Sequence, residues 1–167
     1  QKNHDFLIDI FAEIKKKKPD AELILVGAGP LEEKVRNKVA DKGLTESVQF
    51  LGNRKDMNRV YQAMDIFVFP SLFEGLGIVG IEAQAAGVPI VCSEGLPPET
   101  DITPIYRKLM LSDGAEKWAE VAIEMAQSSE AHTNMQKYII DAGFDMSATA
   151  KNMEEYYLHR WVNSKNE

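Results

Sequence analysis

Cysteine, histidine, positive charge and long apolar runs are all scarce in this sequence. The one cysteine is Cys92. A lone thiol excludes a disulfide framework within the chain. Its place after Ile90-Val91 reads as a buried thiol in a cytosolic protein. The three histidines, His4, His132 and His159, are too scattered to propose a metal site. The formal net charge is −7, which argues against nucleic acid as the main partner, because phosphate backbones select basic surfaces. A small anion held by local groups stays open. No apolar run approaches the roughly 18 residues a membrane span needs. No signal peptide, internal repeat or low-complexity segment is visible. The chain opens on Gln1 rather than Met, which reads as a fragment.

What is present is an ordinary soluble composition, 44% hydrophobic and 27% charged over 167 residues. That length suits one domain, residues 1–167, with a real core. Helical and strand patterns alternate. Phe6, Leu7, Ile10, Phe11 and Ile14 form a helical stripe stopped by Pro19. Glu22–Val26 reads as a strand running into Gly27-Ala28-Gly29-Pro30. Leu31, Val35 and Val39 repeat at helical spacing, with Gly43 as C-cap. Strands are expected at Ser47–Leu51, Ile66–Phe69, Pro89–Cys92 and Arg107–Leu111. Helices are expected from Met57 to Met64, Gly77 to Ala86, Ala115 to Gln127 and Ser147 to Trp161. Tyr156, Tyr157 and Trp161 read as packing residues; the alternative is contact with a missing domain, in which case they form an exposed apolar patch here.

Alternation of this kind implies an α/β fold with a Rossmann-like, doubly wound parallel sheet. One feature departs from the pattern. The chain opens with a helix, whereas such a unit normally opens with a strand at the sheet centre. Without that first strand, two inner strand edges lose their partner, and unpaired buried backbone is costly.

The most informative stretch is Pro70–Gly87. An apolar strand leads into Glu74-Gly75-Leu76-Gly77, which opens a helix carrying Glu82. Small residues let backbone N–H groups approach an anion closely, and the helix adds its N-terminal partial charge. The bland alternative is a tight strand-to-helix turn. Glu82 has Ile78, Val79, Ala85 and Ala86 as helical neighbours, so its carboxylate is expected to be partly desolvated. It stands about 7.5 Å along the helix axis from Gly77. That offset fits a ribose diol attached to a diphosphate; a carboxylate capping a nearby loop is the alternative. Glu74 is either a favourable acid at a helix N-terminus or a group facing a sugar.

These residues resemble the retaining glycosyltransferases of family 4, which have the GT-B fold. The resemblance starts at Gln1-Lys2-Asn3-His4. It runs through Val26–Pro30 and Phe50-Leu51-Gly52-Asn53-Arg54, and peaks at Pro70–Gly77 with Glu82-Ala83. It implies the C-terminal, donor-binding half of such an enzyme, of capsular or exopolysaccharide type, transferring a hexose to a saccharide or lipid-linked acceptor. The implied substrate is a nucleotide sugar, with a UDP-sugar or GDP-sugar as donor and no separate cofactor.

The resemblance also implies roles. Glu74 contacts the donor hexose and is the catalytic candidate. Backbone amides of Gly75, Leu76, Gly77, Ile78 and Val79 hold sugar and diphosphate, and Glu82 binds the ribose. Lys2 neutralises the diphosphate, though alone it reads equally as a solvated terminal lysine. Asn53 and Arg54 flank the nucleobase. Gly27 and Gly29 shape the cleft edge.

The family's strand before the Gln1-Lys2-Asn3 segment, and its N-terminal acceptor domain, are absent from the sequence. The loop Glu94–Glu99 also runs into Ile102-Thr103-Pro104 without the family's Gly-rich ending, which puts a donor-side role of Glu99 in doubt. No Asp-x-Asp pair occurs, so no metal site is expected. The expected setting is cytoplasmic. The run Lys15–Lys18 reads as dipole compensation on a solvated face, or more sharply as a peripheral contact with the inner membrane face. A sugar-nucleotide epimerase-like enzyme and a non-catalytic interaction module are the competing readings.

Overall fold

The apolar stripe from Phe6 to Ile14 forms the first helix of a computed structural model that describes residues 1–163. Twelve elements follow the expected alternation. They are α1 (His4–Lys17), β1 (Leu23–Val26), α2 (Glu32–Asp41), β2 (Val48–Gly52), α3 (Met57–Gln62), β3 (Phe67–Phe69), α4 (Ile78–Ala85), β4 (Ile90–Ser93), β5 (Tyr106–Leu109), α5 (Gly114–Ala126), α6 (Gln136–Asp141) and α7 (Met146–Asn163). The short helix α6 was not expected from the sequence. The expected strand at Arg107–Leu111 starts one residue earlier and ends at Leu109. A 3-10 turn then takes over, because the Asp113 carboxylate accepts the Met110 N–H at 2.9 Å.

Every strand pairing is parallel, but the strands form two sheets rather than one. β1 pairs with β2, and β3, β4 and β5 lie in that order. The inner edges β1 and β3 face each other across a cavity of about 790 Å³, lined also by Leu7, Ile10 and Ile14 of α1. Its effect shows in burial. All four residues of β4, with a partner on each side, are fully buried. The four residues of β1 are only half-buried.

Helix α1 bridges the two sheets. Ile8 and Phe11 pack with Val35 and Val39 of α2 against Leu23, Leu25, Val48 and Phe50. Ile10 and Ile14 pack with Trp118 and Ala122 of α5 against Val68 and Val91. Trp118 is fully buried, meets Phe6 edge-on with ring centroids 5.7 Å apart, and donates its indole N–H to the Met110 carbonyl at 2.9 Å. The opposite face of the three-stranded sheet belongs to α3 and α4. There Phe69, Ile90 and Cys92 meet Val79, and Tyr61, Ala83 and Val88 meet Phe67. Cys92 is the buried thiol its sequence context implied, and burial pushes its pKa up to about 11.

One expectation needs correction. Tyr156, Tyr157 and Trp161 are not packing residues: each is more than half exposed. The two tyrosine rings meet edge-on, with centroids 5.6 Å apart, on the exposed surface of α7. The basic run makes local contacts at the C-terminal end of α1, in line with its reading as dipole compensation. Lys15 bonds the Pro19 and Ala21 carbonyls, Lys16 pairs with Glu13 at 2.7 Å, and Lys17 with Glu120 at 2.9 Å. No helix among the described residues is long and apolar enough to cross a membrane.

The unequal pairing predicts unequal local stability. In native-state hydrogen exchange, the amides of β4 will be protected more strongly than those of β1 and β3. Equal protection across the three strands would contradict an open edge on either side of the cavity.

Candidate functional site

Because all the strands run parallel, their C-terminal ends at Val26, Gly52, Phe69 and Ser93 deliver their loops to one rim. In open α/β sheets that rim is where ligands bind. The β3–α4 loop carries the strongest candidates, and its geometry is set by close approach. Gly77 caps α4 in the left-handed region, φ 69°, and a Cβ there would sit 3.4 Å from the Phe69 ring and 3.7 Å from the Glu74 Cβ. Gly75 has open space around it.

The side chain of Glu74 is only 7% exposed. Its Oε1 accepts from Lys2 Nζ at 2.9 Å and from Ser71 Oγ at 2.6 Å. Its backbone N–H donates to the Gly95 carbonyl at 3.0 Å. Lys2 reaches Glu74 because the chain start is tied to the same loop: the Leu72 N–H donates to the Gln1 carbonyl at 2.9 Å. The Lys2 ammonium also lies 5.0 Å from the Phe69 ring centroid. Lys2 is therefore not a free terminal lysine.

Beyond Glu74, the backbone N–H groups of Gly75, Leu76, Gly77, Ile78 and Val79 meet no acceptor among the described residues. They surround the start of α4, where the helix adds a positive partial charge. One and a half turns on, Glu82 accepts the Tyr61 hydroxyl on Oε2 at 2.9 Å. The expected desolvation of Glu82 does not hold, because the residue is exposed. Its apolar neighbours do not enclose it: Ile78 is 59% exposed, and Ala85 also faces outward. Burial and the Glu82 carboxylate together raise the Tyr61 pKa well above that of a free tyrosine, so this hydroxyl remains a proton donor.

The other expected residues lie on neighbouring loops. Gly27, at φ 115°, donates its N–H to the Gly52 carbonyl at 2.8 Å, which joins the ends of β1 and β2. Gly29 has nothing within 4 Å of where a Cβ would stand. Asn53 and Arg54 follow Gly52 and are exposed. Arg54 grips Asp56 through Nε at 2.9 Å and Nη2 at 2.7 Å, and this fork lowers the Asp56 pKa. The structure thus joins Lys2 to Glu74, and Gly27 to the base of the Asn53–Arg54 loop. It shows no bond between these two groups. Glu99 is exposed in the 3-10 turn Pro98–Thr100.

Sequence reasoning missed the residues that hold this loop in place. Ser71 and Ser93 are fully buried, and Ser93 Oγ donates to the Ser71 carbonyl. A Cβ at Gly95 would collide with the Leu72 carbonyl, so the two loops touch backbone to backbone. Gln84 is fully buried and uses its whole amide. Nε2 donates to Gly80 O at 3.1 Å and Thr100 O at 2.9 Å; Oε1 accepts from Thr103 N at 3.2 Å and Thr103 Oγ1 at 2.8 Å. This fixes the 94–104 loop to α4. The signal was present: Gln84 is the one neutral polar side chain in the run from Gly75 to Gly87.

Two parallel sheets flanked by helices, with a glycine turn between two glutamates at the strand ends, make this a Rossmann-like α/β domain. Residues 1–128 match the family described as glycosyl transferases group 1, and the chain belongs to that family. It is 34% identical over 126 residues to the EpsF glycosyltransferase of Bacillus subtilis strain 168, covering 75% of this chain and 33% of the relative. It is 36% identical over 135 residues to a GDP-mannose-dependent monoacylated alpha-(1-6)-phosphatidylinositol monomannoside mannosyltransferase of Corynebacterium glutamicum, covering 75% and 35%. The chain thus spans about a third of the length of these relatives. Among solved structures, the HepE protein of Anabaena in complex with UDP-glucose superimposes with a TM-score of 0.77 at 21% identity, covering 95% of this chain and 45% of that one. At that identity the likeness concerns the fold.

The Gln84 network carries a stability prediction. Gln84→Leu leaves buried partners on the 94–104 loop unpaired and should lower the unfolding free energy by about 3 kcal/mol, read from urea denaturation. A loss under about 1 kcal/mol would mean that the loop is held by something else.

Proposed function

We propose that this chain is the donor-binding half of a retaining glycosyltransferase that moves a hexose from a nucleoside-diphosphate sugar to a saccharide or lipid-linked acceptor, in bacterial capsular or exopolysaccharide assembly. The observation that supports this most is the row of N–H groups from Gly75 to Val79, which meet no acceptor among the described residues and are flanked by Glu74 and Glu82. Such a row at a helix N-terminus suits a diphosphate. Lys2, 2.9 Å from Glu74, adds a cation beside it.

In this reading the preorganised amides and Lys2 stabilise the departing nucleoside diphosphate. Glu74 uses its second carboxylate oxygen, Oε2, toward the hexose and stabilises positive charge as the anomeric bond breaks. The acceptor oxygen bonds to the anomeric carbon on the face the diphosphate leaves, the bond from that carbon to the diphosphate oxygen breaks, and the acceptor hydroxyl proton passes to the departing diphosphate. Glu82 accepts the ribose hydroxyls, Asn53 and Arg54 flank the base, and Gly27 and Gly29 let the chain approach the nucleotide closely. The acceptor site belongs to a further domain. The named relatives point both ways on the donor, one to GDP-mannose and one structure to UDP-glucose, so both nucleotides enter the test.

Calorimetry of the chain with UDP and with GDP should show weak binding of one of them. Glu82→Ala should weaken that binding about tenfold, the loss of hydrogen bonds to a charged group. The chain alone should show no multiple-turnover sugar transfer. Unchanged affinity in the Glu82→Ala variant would remove the ribose assignment, and turnover by the chain alone would show that no further domain is needed.

A further inference from the structure

The Glu82 carboxylate is exposed on α4, and an exposed glutamate samples many rotamers. Here one of its oxygens is fixed. Tyr61 comes from α3 on the other side of the helix pair and is 3% exposed. Its ring meets Phe67 edge-on, with centroids 6.2 Å apart. It packs among Ala83 and Val88. The ring is thus immobilised by the core while its hydroxyl reaches the rim. The hydroxyl lies 2.9 Å from Glu82 Oε2 and 3.3 Å from the Val79 carbonyl. A hydroxyl has one proton to donate, and the carboxylate oxygen is both nearer and charged. Oε1 of Glu82 has no bond among the described residues.

From this geometry we infer that Tyr61 is a positioning residue for nucleotide recognition: it anchors Glu82 through Oε2 so that Oε1 points at the ligand's ribose. The inference rests on the proposed ribose role of Glu82 and deepens it. Tyr61 touches no ligand; it acts through Glu82. A carboxylate held through one oxygen by a buried ring loses little further rotamer freedom on binding, so the ordering cost of the contact is already met in the free protein. The same arrangement recurs at Glu74, where Ser71 and Lys2 both hold Oε1.

The test is a double-mutant cycle on the chain, read by calorimetry with UDP, GDP and the corresponding 2′,3′-dideoxynucleoside diphosphate. Tyr61→Phe keeps the ring and its packing, and circular dichroism with thermal melting checks that the variant folds. For the ribonucleotide, Tyr61→Phe should weaken binding about fivefold, part of the value of a hydrogen bond to a charged group. On a Glu82→Ala background it should have no further effect. For the dideoxy ligand it should have no effect at all. A purely structural role would weaken both ligands alike and would persist in the Glu82→Ala background; that outcome overturns the inference, as does wild-type ribonucleotide affinity in Tyr61→Phe. If Glu82→Ala itself binds the ribonucleotide as tightly as wild type, or if neither nucleotide binds the wild type, the ribose reading fails first and the inference falls with it.

Discussion

Helix α1 lies across a break in the sheet, and most of the fold depends on that contact. Strands β1 and β3 share no hydrogen bonds. What joins the two sheets on this face is one helix that presents Ile8 and Phe11 to one, Ile10 to the other and Ile14 to both. Burying four such side chains is worth several kcal/mol, at about 1.5–3 kcal/mol each. The same helix sets the site. Its leading residues bring Lys2 to Glu74, and the bond from the Leu72 N–H to Gln1 fixes them on the β3–α4 loop. Sheet assembly and site assembly are therefore one constraint.

The site that results is rigid where it meets the core and open where it meets solvent. Ser71, Ser93, Gly95 and Gln84 hold two loops together from below through buried hydrogen bonds. Each glutamate is fixed through one carboxylate oxygen, and the other oxygen has no hydrogen-bond partner among the described residues. Between them run backbone N–H groups that meet no acceptor among the described residues. Placed in this way, the polar groups do not have to be ordered by a ligand, which suits electrostatic stabilisation of a leaving diphosphate.

Much of this was legible in the sequence. The alternation of apolar runs identified all five strands and most helices, because buried parallel strands read as continuous apolar stretches. The Pro70–Gly87 loop stood out from its glycines and paired glutamates. Other features need three dimensions. Glu82 was expected to be desolvated from its helical neighbours, but helical spacing says which residues are adjacent, not whether that face is covered. Tyr61 lies 21 residues from Glu82 and read only as an apolar marker of α3. The aromatics of α7 read first as packing residues, and helical spacing does not say whether their face is covered.

The central claim is that the amides opening α4 receive the phosphates of a nucleotide. The most direct measurement is a titration of the ¹⁵N-labelled chain with UDP and GDP, followed by amide chemical shifts. The account predicts that Gly75, Leu76, Gly77, Ile78 and Val79 move most, with the backbone amides of Gly27 and Asn53 following. Saturable binding that leaves the amides from Gly75 to Val79 in place would contradict it.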